Sequence, residues 1–213
     1  MAIITLTIDR PFLFFFRQII ILSTLIVPGT SFAKTFAERL ADAAFERTKH
    51  QVRYDGQYLA IPYPNGDVPN NIGVCTDVVI RSYRTLGIDL QQLVHEDIAS
   101  HFDDYPSRKI WGLKRPDKNI DHRRVPNLQT FFKRHGKTLR VDSDPTRFHP
   151  GDIVTWMLPG NLPHIGIVST KTGKYSHNPL IIHNIGAGPQ LEDVLFAYDI
   201  TGHYRFEPGA SSQ

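Results

Sequence analysis

The chain has 213 residues, 41% hydrophobic, 11% aromatic and 21% charged, the proportions of one globular domain or two small ones and not of a disordered tail, a repeat array or a rod. Its 24 Lys and Arg against 21 Asp and Glu leave a net charge of +3, too weak a field for nucleic acid, so no nucleic-acid partner is expected. Ten histidines and one cysteine stand out: with no second thiol in the chain, Cys75 is free, paired between chains, or used chemically.

Only residues 12–27 approach the apolar density of a membrane segment, and Arg17 interrupts the run, which excludes a polytopic membrane protein. Residues 18–27 follow Arg10 and Arg17 and precede Pro28-Gly29 and Ser31-Phe32-Ala33, the layout of a signal peptide. Ser31 and Ala33 offer the small side chains that a signal peptidase accepts, so cleavage is expected after Ala33. The chain then divides into a signal peptide, 1–33, and a single domain, 34–213. The competing reading is an uncleaved anchor, with membrane contact confined to that segment. Both readings export the domain, with the periplasm as its expected location.

From Lys34 to His50, Phe36, Leu40, Ala43, Ala44 and Arg47 recur at helical spacing among good helix formers, which predicts an amphipathic first helix. Residues 54–74 are dense in Pro, Gly and Asn and predict a long structured loop, a kind that is usually functional. Helical periodicity resumes from Cys75 to Leu86, with Gly87 placed to end the helix, and a third helix is predicted from Asp89 to about His101. Residues 103–124 read as irregular and basic, and a fourth helix runs from near Pro126 to Gly136. Strands are predicted at Thr138 to Val141, Asp152 to Leu158, His164 to Ser169, Leu180 to Asn184 and Gly202 to Phe206. Helices first and strands second argue for an α+β domain with helices packed on an antiparallel sheet.

Three elements carry candidate chemistry. Cys75 falls at a helix start, where unpaired N–H groups and the helix dipole favour a thiolate nucleophile; a buried structural cysteine is the plain alternative. His164 opens a strand after Pro159-Gly160-Asn161-Leu162-Pro163, from which an imidazole can take a thiol proton and return it to a leaving amine; the alternative is a surface histidine. Gly166 is expected to leave room on the same sheet face for the helix that carries Cys75. His183, on the next strand, can hold the far imidazole nitrogen and fix its tautomer, or be a half-buried strand histidine with a backbone partner.

A cysteine at a helix start, Pro150-Gly151-Asp152 before a strand, His164-Ile165-Gly166-Ile167-Val168, and then Ile182-His183 together resemble the papain-like cell-wall cysteine peptidases of the NlpC type. The resemblance spans roughly Tyr54 to His183. It implies a papain-like fold, Cys75, His164 and His183 as catalytic residues, no cofactor, and a peptide-amide substrate such as a peptidoglycan stem peptide. Gly66-Asp67-Val68-Pro69, residues 73–81, Val94-His95-Glu96-Asp97 and residues 120–128 are similar to a narrower exported bacterial family of YijF type. Two departures from the NlpC pattern are visible. The usual Asp-Cys-Ser-Gly around the nucleophile is replaced by Val74, Thr76 and Asp77, and the interval between Cys75 and His164 is lengthened by the basic segment 103–124.

Asp121-His122-Arg123-Arg124 is either a solvated charge run before a helix or a clamp in which arginine grips a substrate carboxylate through paired hydrogen bonds. On the second reading Tyr63, Asp77, His122, Arg123 and Arg124 are the expected substrate-binding residues. His95, Glu96, Asp97, His101 and His122 offer metal-ligand types, but His95 has Ala99 where a zinc helix carries its second histidine, so no metal is expected. The expected function is an exported, monomeric cysteine amidase or peptidase. The alternatives are an acyl or peptidyl transferase on the same fold and a non-catalytic wall-binding module.

Overall fold

In the computed structural model, which describes residues 1–3 and 33–209, helix formation begins at a capping box. Thr35 Oγ1 accepts the Glu38 N–H at 3.2 Å while Glu38 Oε2 accepts the Thr35 N–H at 2.8 Å, which satisfies two otherwise orphaned donors and starts helix α1, Phe36–Arg47. Helix α2, Cys75–Thr85, ends before Gly87, whose φ of +80° suits a residue without a side chain. Asp89 caps α3, Leu90–Ser100, by accepting the Gln91 N–H. A short helix α4, Ser107–Trp111, and α5, Val125–His135, with Pro126 in its first turn, complete the helical layer. The predicted signal segment, apart from Met1–Ile3 and Ala33, lies outside the described residues. No helix among the described residues is long and apolar enough to cross a membrane.

Two short strands, β1 (Arg53–Tyr54) and β2 (Ile72–Gly73), pair in parallel and close the base of the long loop. The main sheet is built from β3 (Lys137–Thr138), β4 (Ile153–Leu158), β5 (Leu162–Thr172), β6 (Pro179–His183), β7 (Gln190–Glu192) and β8 (Asp199–Arg205). Its order is β3-β8-β4-β5-β6-β7, antiparallel throughout. The domain is therefore α+β, with helices on one face of an antiparallel sheet. Ile153, Ile165, Ile167 and Ile182 point into the helical layer, where they meet Leu40, Val79, Leu128 and Phe132. Val154, Trp156, Val168 and Ile181 form a second core on the opposite face, with Phe148 and Leu195. Alternating burial on both faces is why the strands read as nearly continuous apolar runs. Each fully buried Ile or Leu contributes about 1.5–3 kcal/mol, so the two cores fix the strand register firmly.

Four differences from the sequence expectations matter for the site. The expected strand at Thr138 to Val141 is only Lys137–Thr138, because β3 is an edge strand that leaves β8 after two pairs. Strand β5 begins at Leu162, so His164 lies inside it and faces Trp156 of β4 instead of opening it. The segment 103–124 contains α4 and two 3₁₀ turns, Phe102–Asp104 and Asp121–Arg123. Strand β7 had no clear sequence signal, being three residues long.

Candidate active site

Helix α2 starts at Cys75 because Val74 is extended and cannot cap it; the Asp77 carboxylate takes that role, accepting the Val74 N–H at 2.7 Å. A carboxylate so placed is desolvated and must be paired. Arg123 supplies the partner through two parallel hydrogen bonds, Nε to Oδ1 at 2.9 Å and Nη2 to Oδ2 at 3.0 Å. Arg123 Nη1 also donates to the Gln57 carbonyl at 3.2 Å, which fastens the long loop beside the first turn of α2. Asp77 and Arg123 were expected to bind substrate. They are engaged with each other, and their side chains are only 4% and 2% exposed.

Cys75 is buried, at 5% exposure, and its sulfur meets the backbone N–H of Ile165, one residue after His164. Burial pushes its thiol up to about 12, with the Asp77 charge adding to the rise, and the nearby backbone amides of Ile165, Thr76 and Cys75 offset only part of it. The sequence expectation of a favoured thiolate is therefore reversed: desolvation outweighs the helix terminus. His164 is likewise held neutral, its ring lowered to about 3 by burial and then by the charge of His183.

The two histidines are joined directly. His164 Nε2 and His183 Nδ1 are 2.8 Å apart with their rings near perpendicular, at 78°. His183 Nε2 is 2.9 Å from Glu192 Oε2, close enough for an ion pair, although the nitrogen does not aim its N–H at that oxygen. Gly166 makes this possible by a route the sequence reading misplaced. A Cβ there would meet Ile181 Cγ2 at 2.7 Å and His183 Cβ at 3.1 Å, so its missing side chain makes room for β6 and His183 and not for α2. By strand alternation His164 shares that face, while Cys75 packs with Ile165 and Ile167 on the other. At His164 strand β5 is paired with β4 alone, since its pairing with β6 runs no closer than Ile167 opposite Ile182. Among the described residues no hydrogen bond joins Cys75 to His164, and His164 Nδ1 has no protein hydrogen-bond partner.

Cys75 opens into a cavity of about 250 Å³ lined by Tyr54, Val74, Trp111, Arg124 and Pro163, among others. Larger hollows, of about 520 Å³ at residues 48–53 with 187–190 and of about 540 Å³ at residues 103–106 with 126–133, contain neither the cysteine nor the histidine pair. Arg124 lies with its guanidinium carbon 4.1 Å from the Trp111 ring centroid. Its Nη1 is 3.9 Å from Asp121 Oδ1 and makes no hydrogen bond. Of the five expected substrate-binding residues, Arg123 and Arg124 line the cleft, and Arg124 is the one of them not held in a two-point ion pair, its Nη1 being buried toward Asp121.

The other two lie elsewhere. Tyr63 is away from the cavity wall, its hydroxyl 3.5 Å from Glu96 Oε1 and its ring edge-on to His95. His122 is buried at 2% exposure, lowered to about 3 by burial and by the charges of Arg123, Arg84 and His95. All three residues of the 3₁₀ turn Asp121–Arg123 are buried, Arg123 through its pair with Asp77, which a run of four polar residues did not announce. Tyr54, Trp111 and Glu192 are the residues that sequence reasoning missed. Tyr54 belongs to the two-residue strand β1, Trp111 to the five-residue helix α4, and Glu192 to the unrecognised strand β7. Among the described residues no group of three or more His, Cys, Asp or Glu could hold a metal ion.

A helix-start cysteine, paired strand histidines and an open cleft thus occur together in an α+β domain. The chain belongs to the family described as a domain of unknown function (DUF1287), whose model matches residues 41–206. It is 52% identical over 167 residues to the uncharacterized protein YijF of Escherichia coli (strain K12), covering 78% of this chain and 80% of that one. Two solved structures from Trichomonas vaginalis are also similar. NlpC1 has a TM-score of 0.44 at 16% identity, covering 83% of this chain and 46% of that one. NlpC2 has a TM-score of 0.40 at 17% identity, with 80% and 46% covered. The chain spans less than half the length of these two chains.

Proposed function

We propose that the protein is an exported cysteine amidase or peptidase that cleaves amide bonds through an acyl-enzyme. The observation that carries this reading is the tethered histidine: Nε2 of His164 is held by His183, while Nδ1 is left without a protein partner at the strand position next to the amide that meets the Cys75 sulfur. In the reaction the thiol proton passes to His164 Nδ1 as sulfur attacks the carbonyl carbon. The imidazolium then gives that proton to the departing amine as the C–N bond breaks, and water hydrolyses the thioester with His164 as base. The neutral thiol and neutral imidazole of the resting site require this transfer to occur as substrate closes the cleft, when apo contacts of this kind tighten.

The cleft wall supports one reading of the substrate class. Arg124 lines the cleft beside an indole face with its side chain 18% exposed, and that accessible part of the guanidinium supports binding of a free carboxylate on an otherwise amphipathic peptide. Peptidoglycan stem peptides carry such carboxylates next to their amide bonds, and the N-terminal signal-like run would deliver the domain to them. Purified sacculi incubated with the protein should release peptide fragments detected by mass spectrometry. Cys75→Ala should release none, and Arg124→Ala should lose about one to two orders of magnitude in kcat/KM on acidic peptides only, since a hydrogen bond to a charged group is worth about 1.5–3 kcal/mol. Fragment release by Cys75→Ala would overturn the reading.

A further inference from the structure

We propose that Glu192 is a positioning residue that sets the proton order of the His164–His183 pair; this deepens the reading above and rests on it for its catalytic purpose. The argument is one of donor and acceptor counting. Two neutral imidazoles 2.8 Å apart share one hydrogen bond, so one nitrogen donates and the other accepts. In one order His164 Nε2–H donates to His183 Nδ1, the His183 proton then resides on Nε2, and His164 Nδ1 keeps a lone pair. In the other order both protons move to the Nδ1 atoms, and His183 presents its Nε2 lone pair outward.

Glu192 separates the two. Its carboxylate, an acceptor only, lies 2.9 Å from His183 Nε2, a nitrogen that is otherwise buried without a hydrogen-bond partner. An N–H there is off the line to the oxygen and makes no hydrogen bond, yet its partial positive charge lies 2.9 Å from a negative oxygen, where a nitrogen lone pair would add repulsion. Glu192 therefore selects the first order, which is also the only one in which His164 Nδ1 can take a proton. The sheet register supports the placement. Glu192 pairs with Ile181 and Gln190 with His183, so the carboxylate lies diagonally across β7 from the imidazole on the same face. When His164 becomes imidazolium, the same carboxylate lies one ring away from the new charge.

The test is the histidine tautomer, read by two-bond ¹H–¹⁵N correlation spectra of the ¹⁵N-labelled protein, with signals assigned through His164→Asn and His183→Asn. The wild type should show both rings as the Nε2–H form. Glu192→Gln keeps the size of the side chain, is half-exposed and so does not threaten folding, and offers either a donor or an acceptor; both rings should become tautomer mixtures. Its kcat should fall about tenfold with KM unchanged, the worth of one charge-assisted contact to the transient imidazolium. Wild-type rings in the Nδ1–H form, or tautomers unchanged in Glu192→Gln, would overturn the proposal. Because the spectra need no turnover, a protein that leaves sacculi intact yet changes tautomer on substitution would keep the positioning role and sink only the amidase reading.

Discussion

At Cys75 two physical effects oppose each other, and their balance sets how the thiol reacts. Backbone amides at the start of α2 and from Ile165 favour an anion, while burial and the charge of Asp77 disfavour it, and burial wins: the thiol is pushed up to about 12. His164, lowered to about 3, cannot rescue the thiolate as a resting imidazolium partner. At neutral pH the site is therefore a thiol beside a neutral ring. Alkylation by iodoacetamide should accelerate steadily as pH rises past 9, without the plateau near neutrality of a preformed ion pair, and Cys75→Ala should abolish the labelling. An acid-limb plateau, or thiolate absorbance near pH 7 that disappears in Cys75→Ala, would contradict this assignment. Sequence position alone could not decide the matter, because a helix start shows in the sequence and the depth at which it is buried does not.

At the scale of elements, the cleft is held by a tie between the first turn of α2 and the 3₁₀ turn Asp121–Arg123. The Asp77–Arg123 pair spans it, and the Arg123 bonds to the Gln57 and Asp55 carbonyls add the long loop. Removing one partner of a buried pair leaves an uncompensated charge, at a cost of about 3–5 kcal/mol. Arg123→Ala should thus lower Tm by roughly 6–20 °C in calorimetry. Arg123→Lys, which cannot form the planar two-point contact, should fall between that variant and wild type. A Tm within a degree or two of wild type in Arg123→Ala would show that water replaces the guanidinium freely. The same tie explains what was readable. The helices were legible because apolar spacing and caps at Asp89, Pro126 and Gly87 are local signals. The helix-start position of Cys75 and the neighbouring strands of His164 and His183 were legible because short motifs flank each residue. Glu192 and Trp111 were not, since a three-residue edge strand and a five-residue helix carry too few residues to show a period. Arg123 was misread for a different reason. A charge pattern shows neither that Asp77 waits on another element nor that the intervening turn folds inward.

For the molecule as a whole, the distribution of histidines predicts how it fails in acid. His164 and His122 are each lowered to about 3, mainly by burial, and His183 is lowered by burial against the pull of Glu192. An unfolded histidine titrates near 6.5, so below that value the unfolded chain binds protons that the native fold refuses. The sign follows directly: these groups cost nothing above about pH 6.5, and stability drains as pH falls from there toward the native values. Each such proton contributes a slope of about 1.4 kcal/mol per pH unit, so His164 and His122 together give about 3 kcal/mol per unit near pH 5, and His183 acts in the same direction. That is ahead of the range in which ordinary carboxylates begin to protonate. Denaturant unfolding measured from pH 7.5 to 4.5 should therefore show stability falling steeply within this window. His122→Asn removes one buried imidazole that takes no part in the cleft, and should reduce the slope by about one proton even if it lowers stability at pH 7.5. Native histidines that titrate near 6.5, with stability flat down to pH 5, would mean that water reaches these rings and that the buried neutral relay behind Cys75 does not exist.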